Sequence, residues 1–194
     1  MILKKAKYSS VLNNVLFRKK TPISLIHFIT NRCNARCSFC FIDFNNPKTF
    51  AGELTLEEID KVTKNMGDTL LNVNFTGGEP FARKDILEIA KTYIRNTTIQ
   101  SIYITTNASL PERILDFAKE INNYNPEIEL NFQISIDDLP EKHNAVRKIK
   151  NPGKRAWVLE IDYLFSLRAL KRRSGYRRIF FMYFHYLLKL KELI

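Results

Sequence analysis

The sequence has few of the residues that mark several protein classes. Its 194 residues include only six glycines, seven prolines and three cysteines. Scattered glycines and prolines exclude a collagen-like or low-complexity chain, and three cysteines within one short segment argue against a disulfide framework. With 45% hydrophobic and 26% charged residues, the chain has the composition of an ordinary globular domain that can bury a core.

Long hydrophobic runs are also missing. The apolar run Ile179 to Leu188 is about half a membrane span and contains His185. At the N-terminus, the first lysines are followed by Tyr8, Ser9 and Ser10 rather than by an apolar segment. We therefore predict no signal peptide or transmembrane helix, and we expect a cytoplasmic protein.

Positive charge is concentrated near the C-terminus. From Glu141 onward there are 14 lysines and arginines against four aspartates and glutamates, whereas the preceding 140 residues have 17 against 16. A cluster formed by Arg172, Arg173, Arg177 and Arg178 comes with no aromatic platform or nucleic-acid-binding signature. A solvated basic face is the simpler interpretation, so we do not expect nucleic acid to be the partner.

Short apolar runs alternate with helical patterns along the chain. The predicted strands are Ile23–Thr30, Leu70–Phe75, Ile99–Thr105, Ile128–Ile136 and Ile179–Phe184. The predicted helices are Thr55–Met66, Asp85–Ile94, Pro111–Asn122 and Trp157–Arg172, after a basic helical segment over residues 1–21. This alternation predicts an α/β fold with a parallel sheet and outer helices. Because an eight-unit barrel needs about 250 residues, we expect a partial (βα) barrel of about five to six units.

The three cysteines directly follow the first predicted strand, with the spacing Cys33-x3-Cys37-x2-Cys40. Three thiolates hold three irons of a 4Fe–4S cubane and leave the fourth iron open to a ligand. A structural zinc site normally takes four protein ligands, for which His27 is a candidate, although its place in an apolar strand favours packing. The spacing alone leaves an iron–sulfur site and a zinc site both open.

Polar groups follow the next three strands. They are Thr76-Gly77-Gly78-Glu79-Pro80, Thr105-Thr106-Asn107 and Ser135-Ile136-Asp137-Asp138. Each is compatible with an ordinary turn or helix cap, but paired glycines also allow close backbone approach to a ligand. Because the C-terminal ends of parallel strands meet on one face, the thiols and these polar groups predict one composite site.

Taken together in this order, the motifs resemble the radical S-adenosylmethionine superfamily. The segment from Ser135 through His143 to Arg147 also resembles its peptide-maturase and sulfatase-maturase branch. The resemblance covers about residues 22–150, with a weaker continuation to about 184, and the sequence lacks that branch's cysteine-rich C-terminal domain. We expect residues 22–194 to form the partial barrel, truncated or divergent after about residue 184, where no clear sixth strand follows.

The resemblance implies which residues contact the cofactors. A 4Fe–4S cluster would be ligated by Cys33, Cys37 and Cys40, with S-adenosylmethionine on the open iron. The implied contacts to S-adenosylmethionine are Phe39 beside the adenine, Gly77, Gly78 and Glu79 at the methionine amino group, Ser135 at the ribose or carboxylate, and Arg147 at the carboxylate.

The resemblance also implies an activity. Reductive cleavage of S-adenosylmethionine would give a 5′-deoxyadenosyl radical that abstracts hydrogen from a substrate. The expected substrate is a peptide, a sugar or a lipid precursor, and the expected electron donor is a flavodoxin or ferredoxin. No catalytic acid or base is predicted. A truncated, non-catalytic cluster-binding remnant is the main alternative, and a zinc-binding or nucleic-acid-binding module is a more distant one.

Overall fold

The computed structural model describes residues 8–138, 140–148 and 179–183. Five strands form one parallel sheet in the order β1-β2-β3-β4-β5. They are β1 Ser24–Thr30, β2 Asn72–Gly77, β3 Ser101–Thr106, β4 Glu129–Ile134 and β5 Ile179–Tyr183. Parallel strands in sequential order are the arrangement of a (βα) barrel, so the predicted α/β partial barrel is confirmed.

Helices connect the described strands. They are α1 Tyr8–Asn13, continued by a π-helical turn over Asn14–Arg18, α2 Leu56–Lys64, α3 Ile86–Asn96, α4 Pro111–Tyr124 and α5 Pro140–Arg147. Short 3-10 turns cover Pro47–Phe50 and Pro80–Ala82. The predicted helix Trp157–Arg172 and the basic cluster after it lie outside the described residues. No helix in the described part is long and apolar enough to cross a membrane.

Local sequence signals set several of these boundaries. Thr55 caps α2 in a capping box, because its hydroxyl accepts from the Glu58 amide at 3.2 Å and the Glu58 carboxylate accepts from the Thr55 amide at 2.8 Å. Strand β2 begins two residues later than predicted. Leu70 is buried, and the Leu71 amide donates to the Ile23 carbonyl at 2.8 Å, but regular pairing starts only at Asn72. Apolar character marks burial rather than strand pairing.

On β2, β3 and β4 the sheet has one apolar face and one polar face. On β1 the second of these faces carries the exposed apolar side chains of Ile26 and Phe28. The apolar face belongs to the core and carries Val73, Phe75, Ile102, Ile104, Leu130 and Phe132, none more than 2% exposed. The alternate positions on the same strands are Asn74, Thr76, Tyr103, Thr105, Asn131 and Gln133. A parallel sheet covered on both faces by apolar layers has nearly continuous hydrophobic strands. The alternation here makes the second face, which we call the inner face, a hydrogen-bonding surface on these three strands.

The end of β2 lies against the segment that follows β1. Gly77 has a φ of 118°, and a Cβ there would lie 2.2 Å from the Thr30 carbonyl oxygen. A Cβ on Gly78 would lie 2.2 Å from the Arg32 carbonyl oxygen. The Gly78 amide donates to Thr30 at 2.7 Å, and the Glu79 amide donates to Arg32 at 2.8 Å. Side chains at both glycines are therefore excluded by backbone.

We expect Gly77→Ala to destabilise the protein far more than Gly52→Ala. Both glycines have positive φ, but a Cβ at Gly52 meets no atom within 4 Å. Left-handed strain costs about 1 kcal/mol or more at either position, and the steric clash at Gly77 adds about 1–3 kcal/mol. Urea unfolding measures the two losses in free energy. Equal losses would mean that the contact with Thr30 does not constrain the turn.

Candidate iron–sulfur and cofactor site

The cysteine loop, residues 31–46, follows β1 and carries three half-buried thiols. The Cys33 sulfur accepts from the Ala35 amide at 3.4 Å, and the Cys40 amide donates to the Cys37 carbonyl at 3.2 Å. Burial raises the pKa of the Cys33 thiol, and the nearby Glu79 carboxylate and the other two thiols raise it further. Thiolates at this position therefore need a bound cation, whose binding would release protons.

The donor set fits a cubane better than a single ion. Within the described residues, no three His, Cys, Asp or Glu side chains are placed to bind one metal ion. A structural zinc site needs four ligands on one ion, whereas a cubane distributes its thiolates over separate irons. Three half-buried thiols on one loop, with N–H groups directed at two of the sulfurs as described below, match the second arrangement.

His27 is a packed residue rather than a metal ligand. Its Nδ1 lies 3.1 Å from the Tyr93 hydroxyl, and its ring packs against those of Phe75 and Tyr93. Burial, with a contribution from the charge of Arg83, lowers the pKa of His27 to about 4. The described geometry thus gives the zinc interpretation no fourth ligand at His27.

The end of β3 contacts the cysteine loop through Asn107. Its Nδ2 lies 3.9 Å from the Cys33 sulfur and donates to Asn34 Oδ1 at 2.9 Å. Asn34 in turn donates to the Ser109 hydroxyl at 2.7 Å, and Ser109 donates to Asn107 Oδ1 at 2.6 Å. This closed network fixes the side-chain amide of Asn107 beside Cys33. The sequence predicts Thr105-Thr106-Asn107 as part of the composite site, but it does not indicate that the Asn107 side chain contacts Cys33.

Glu79 joins the ends of β2 and β3. Its fully buried carboxylate accepts from the Thr106 hydroxyl at 2.7 Å, the Asn107 amide at 2.8 Å and the Phe81 amide at 3.1 Å. Burial raises the pKa of Glu79, while these three donors act in the opposite direction. The side chain of Glu79 therefore fixes the backbone of Asn107 through a hydrogen bond, a role that the sequence pattern did not indicate.

Two amides of the glycine turn are engaged within the protein. The amides of Gly78 and Glu79 already donate to the segment after β1. Ser135 lies one residue beyond β4, where its amide donates to the Thr106 carbonyl at 3.0 Å. Within the described residues, the half-buried Ser135 side chain makes no hydrogen bond to another predicted site residue, so its role stays a prediction.

The C-terminal end of α5 lies against the cysteine loop. The Arg36 amide donates to the Arg147 carbonyl at 3.0 Å, and the Ser38 amide donates to the Val146 carbonyl at 3.2 Å. Arg147 Nη1 lies 3.8 Å from the Cys37 sulfur. Helix α5 therefore brings the predicted residue Arg147 to the cluster ligands.

Phe39 is an exposed ring beside these ligands. It is 61% exposed, and the guanidinium carbon of Arg147 lies 5.3 Å from its ring centroid. A cavity of about 430 Å³ is lined by residues of the same loop, among them Cys37 and Cys40. An accessible aromatic face beside the thiols is compatible with the predicted adenine contact.

Comparison with known proteins identifies relatives of this chain. It is 30% identical over 154 residues to the GTP 3′,8-cyclase of Actinobacillus pleuropneumoniae serotype 5b, covering 78% of this chain and 41% of that protein. It is 28% identical over 167 residues to the PqqA peptide cyclase of Bradyrhizobium diazoefficiens, covering 81% of this chain and 41% of that protein. The chain thus spans about two-fifths of the length of these curated relatives.

Solved structures also resemble the fold. Native anSMEcpe with bound AdoMet superposes with a TM-score of 0.49 at 20% sequence identity, covering 84% of this chain and 51% of that chain. Streptococcus suis SuiB bound to S-adenosylmethionine gives a TM-score of 0.43 at 15% identity, covering 91% of this chain and 54% of that chain.

A family sequence model matches most of the chain. The model of the Radical SAM superfamily aligns with residues 28–186, which include every predicted site residue. This family uses a 4Fe–4S cluster and S-adenosylmethionine, so the predicted cofactors and the prediction of an enzyme family are confirmed at family level. The chain belongs to the radical SAM superfamily.

Proposed function

We propose that this chain binds a 4Fe–4S cluster through Cys33, Cys37 and Cys40 and supports reductive cleavage of S-adenosylmethionine. One observation carries the proposal. At the C-terminal edge of the sheet, side-chain N–H groups from two separate elements are directed at the cysteine sulfurs, from Asn107 at 3.9 Å and from Arg147 at 3.8 Å. Such donors tune iron–sulfur clusters.

When bound, the cluster and S-adenosylmethionine supply electron transfer and a 5′-deoxyadenosyl radical. The residues of the chain bind these two cofactors and orient them relative to each other. The carbonyls of Gly77 and Gly78 would accept from the methionine amino group, as would that of Glu79. Ser135 would bond the ribose or carboxylate region. The Phe39 ring would cover one face of the adenine.

The inner face indicates which kind of substrate could bind. The candidates are peptides, sugars and lipid precursors. On β2, β3 and β4 the side chains of this face are uncharged amides and hydroxyls, and Thr105 Oγ1 donates to Gln133 Oε1 at 2.8 Å. On β1 the same face carries the exposed apolar side chains of Ile26 and Phe28. An apolar lipid chain laid over β2, β3 and β4 would leave the polar groups that are not bonded within the sheet without partners, at about 1–3 kcal/mol each. A peptide or a sugar would satisfy them. This part of the inner face therefore favours a neutral, hydrogen-bonding substrate, and the β1 edge adds an apolar contact surface.

The remaining parts of the proposal rest on sequence. A flavodoxin or ferredoxin would deliver the electron, in the cytoplasm. Residues 1–21 would form a leading helical segment, of which the structure describes α1 and the turn after it, and residues 22–194 would form the catalytic barrel.

Reconstitution tests the proposal directly. We expect the anaerobic protein, supplied with iron and sulfide, reduced with dithionite and mixed with S-adenosylmethionine, to release 5′-deoxyadenosine, detected by chromatography. The matched control replaces Cys33, Cys37 and Cys40 with alanine and should release none. Folded protein that takes up no cluster contradicts the proposal. A cluster without cleavage would support the non-catalytic alternative and would exclude turnover by this chain alone.

Ser135→Ala tests the proposed contact to S-adenosylmethionine. Loss of one hydrogen bond costs about 0.5–1.5 kcal/mol, so the dissociation constant should rise about 2- to 12-fold. Equilibrium binding to the cluster-loaded protein measures this change. Ser101→Ala removes the same hydroxyl from the start of β3, away from the site, and should leave the affinity unchanged. Equal affinities for both variants would remove Ser135 from the site.

A further inference from the structure

Asp137 holds Arg147 in one orientation. Arg147 donates through Nε to Asp137 Oδ2 and through Nη2 to Asp137 Oδ1, the second at 2.7 Å. Both side chains are mostly buried, with 13% of Arg147 and 28% of Asp137 exposed. Two parallel bonds between a guanidinium and a carboxylate fix the plane of the guanidinium as well as its position. The arginine is therefore oriented before any ligand arrives.

The backbone of Asp137 is itself anchored. His143, on α5, is buried, and its Nδ1 lies 3.3 Å from the Asp137 amide, which can donate to it. Burial lowers the pKa of His143, which favours the neutral ring that can accept this bond. The Asp137 carboxylate thus stays directed at Arg147. The segment after β4 and helix α5 form one unit around this ion pair.

This unit is fastened on both sides of Cys37. The amides of Arg36 and Ser38, the two neighbours of Cys37, donate to the last carbonyls of α5. Between them, Arg147 Nη1 lies 3.8 Å from the Cys37 sulfur. The same helix end therefore fixes the backbone of this ligand and provides an N–H group to its sulfur.

The hydrogen-bonding capacity of Arg147 is not exhausted. A guanidinium has five N–H groups. Among the described residues, two are bonded to Asp137 and one faces Cys37, which leaves one on each terminal nitrogen. An N–H group of a guanidinium held in a fixed plane can donate to a carboxylate oxygen.

From this geometry we infer that Asp137 is a positioning residue that holds Arg147 as a bridge between the Cys37 thiolate and the carboxylate of S-adenosylmethionine. The inference rests on the proposed function. It adds that one arginine acts on both cofactors and that its orientation depends on Asp137. A positive charge and an N–H group beside a ligand sulfur stabilise the reduced, more negative cluster. Asp137 therefore influences the reduction potential without contacting the cluster ligands.

The test measures the midpoint potential of the reconstituted protein without S-adenosylmethionine, by redox titration monitored by electron paramagnetic resonance. We expect Arg147→Gln, which removes the cation, to shift the potential to more negative values at full iron and sulfide content. In Asp137→Asn an N–H group meets the N–H groups of Arg147, and the loss of the anion opposes the loss of orientation, so its shift should be smaller than that of Arg147→Gln. Both should weaken binding of S-adenosylmethionine about tenfold or more, because a charge-assisted bond is lost. Arg147→Lys should recover part of the potential shift.

Arg32→Gln is the matched control. Arg32 also lies on the cysteine loop, but its side chain is 68% exposed and faces Glu53 at 3.7 Å. Its loss should change neither readout.

The possible outcomes separate the two proposals. If wild-type protein forms the cluster and cleaves S-adenosylmethionine, while Asp137→Asn and Arg147→Gln keep both the wild-type potential and the wild-type affinity, the inference is wrong and the proposed function stands. If Asp137→Asn loses the cluster, the midpoint potentials of Arg147→Gln and Arg147→Lys and their affinities for S-adenosylmethionine decide whether Arg147 acts on both cofactors. Wild-type protein that forms no cluster overturns both proposals.

Discussion

The site depends on one close backbone contact, between the turn after β2 and the segment that leads to Cys33. Gly77 and Gly78 let two chain segments approach to hydrogen-bonding distance, and two amide-to-carbonyl bonds then fasten them. This contact fixes the start of the cysteine loop relative to the sheet. It also places the next residue, Glu79, where its buried carboxylate reaches β3. A paired glycine here is therefore an architectural requirement as well as a ligand-binding feature.

Two strand ends place N–H donors beside the cysteine sulfurs. On β3 the contact to Cys33 comes from Asn107, held by Glu79 and by the Asn34–Ser109 network. After β4 the contact to Cys37 comes from α5, held by Asp137. The thiols are thus approached from two sides by donors whose own positions are fixed by buried carboxylates. The carboxylates of Glu79 and Asp137 bond to Asn107 and Arg147, and the side-chain N–H groups of Asn107 and Arg147 face the sulfurs.

The sequence allowed the order of strands, the parallel sheet and the cysteine loop to be predicted, because apolar periodicity and capping residues such as Thr55 are local signals. The meeting of the C-terminal strand ends at one site could be predicted because parallel strands end on the same side of a sheet. The helix Pro140–Arg147 was missed, since eight mostly polar residues give little periodicity. The roles of Glu79 and Asp137 were missed for a different reason. A carboxylate that accepts buried hydrogen bonds from distant residues has the same local sequence as one exposed in a turn.

The docking of α5 on the cysteine loop has a consequence for how the site forms. Cys37 and Arg147 are separated by 110 positions along the chain. Closing so long a segment carries an entropic cost that must be met before the contact can contribute, and contacts of this range are typical of slow folding steps. During synthesis, the thiols leave the ribosome well before the helix that covers Cys37. The cysteine loop therefore passes through a period in which Cys37 is accessible from the side that α5 later covers.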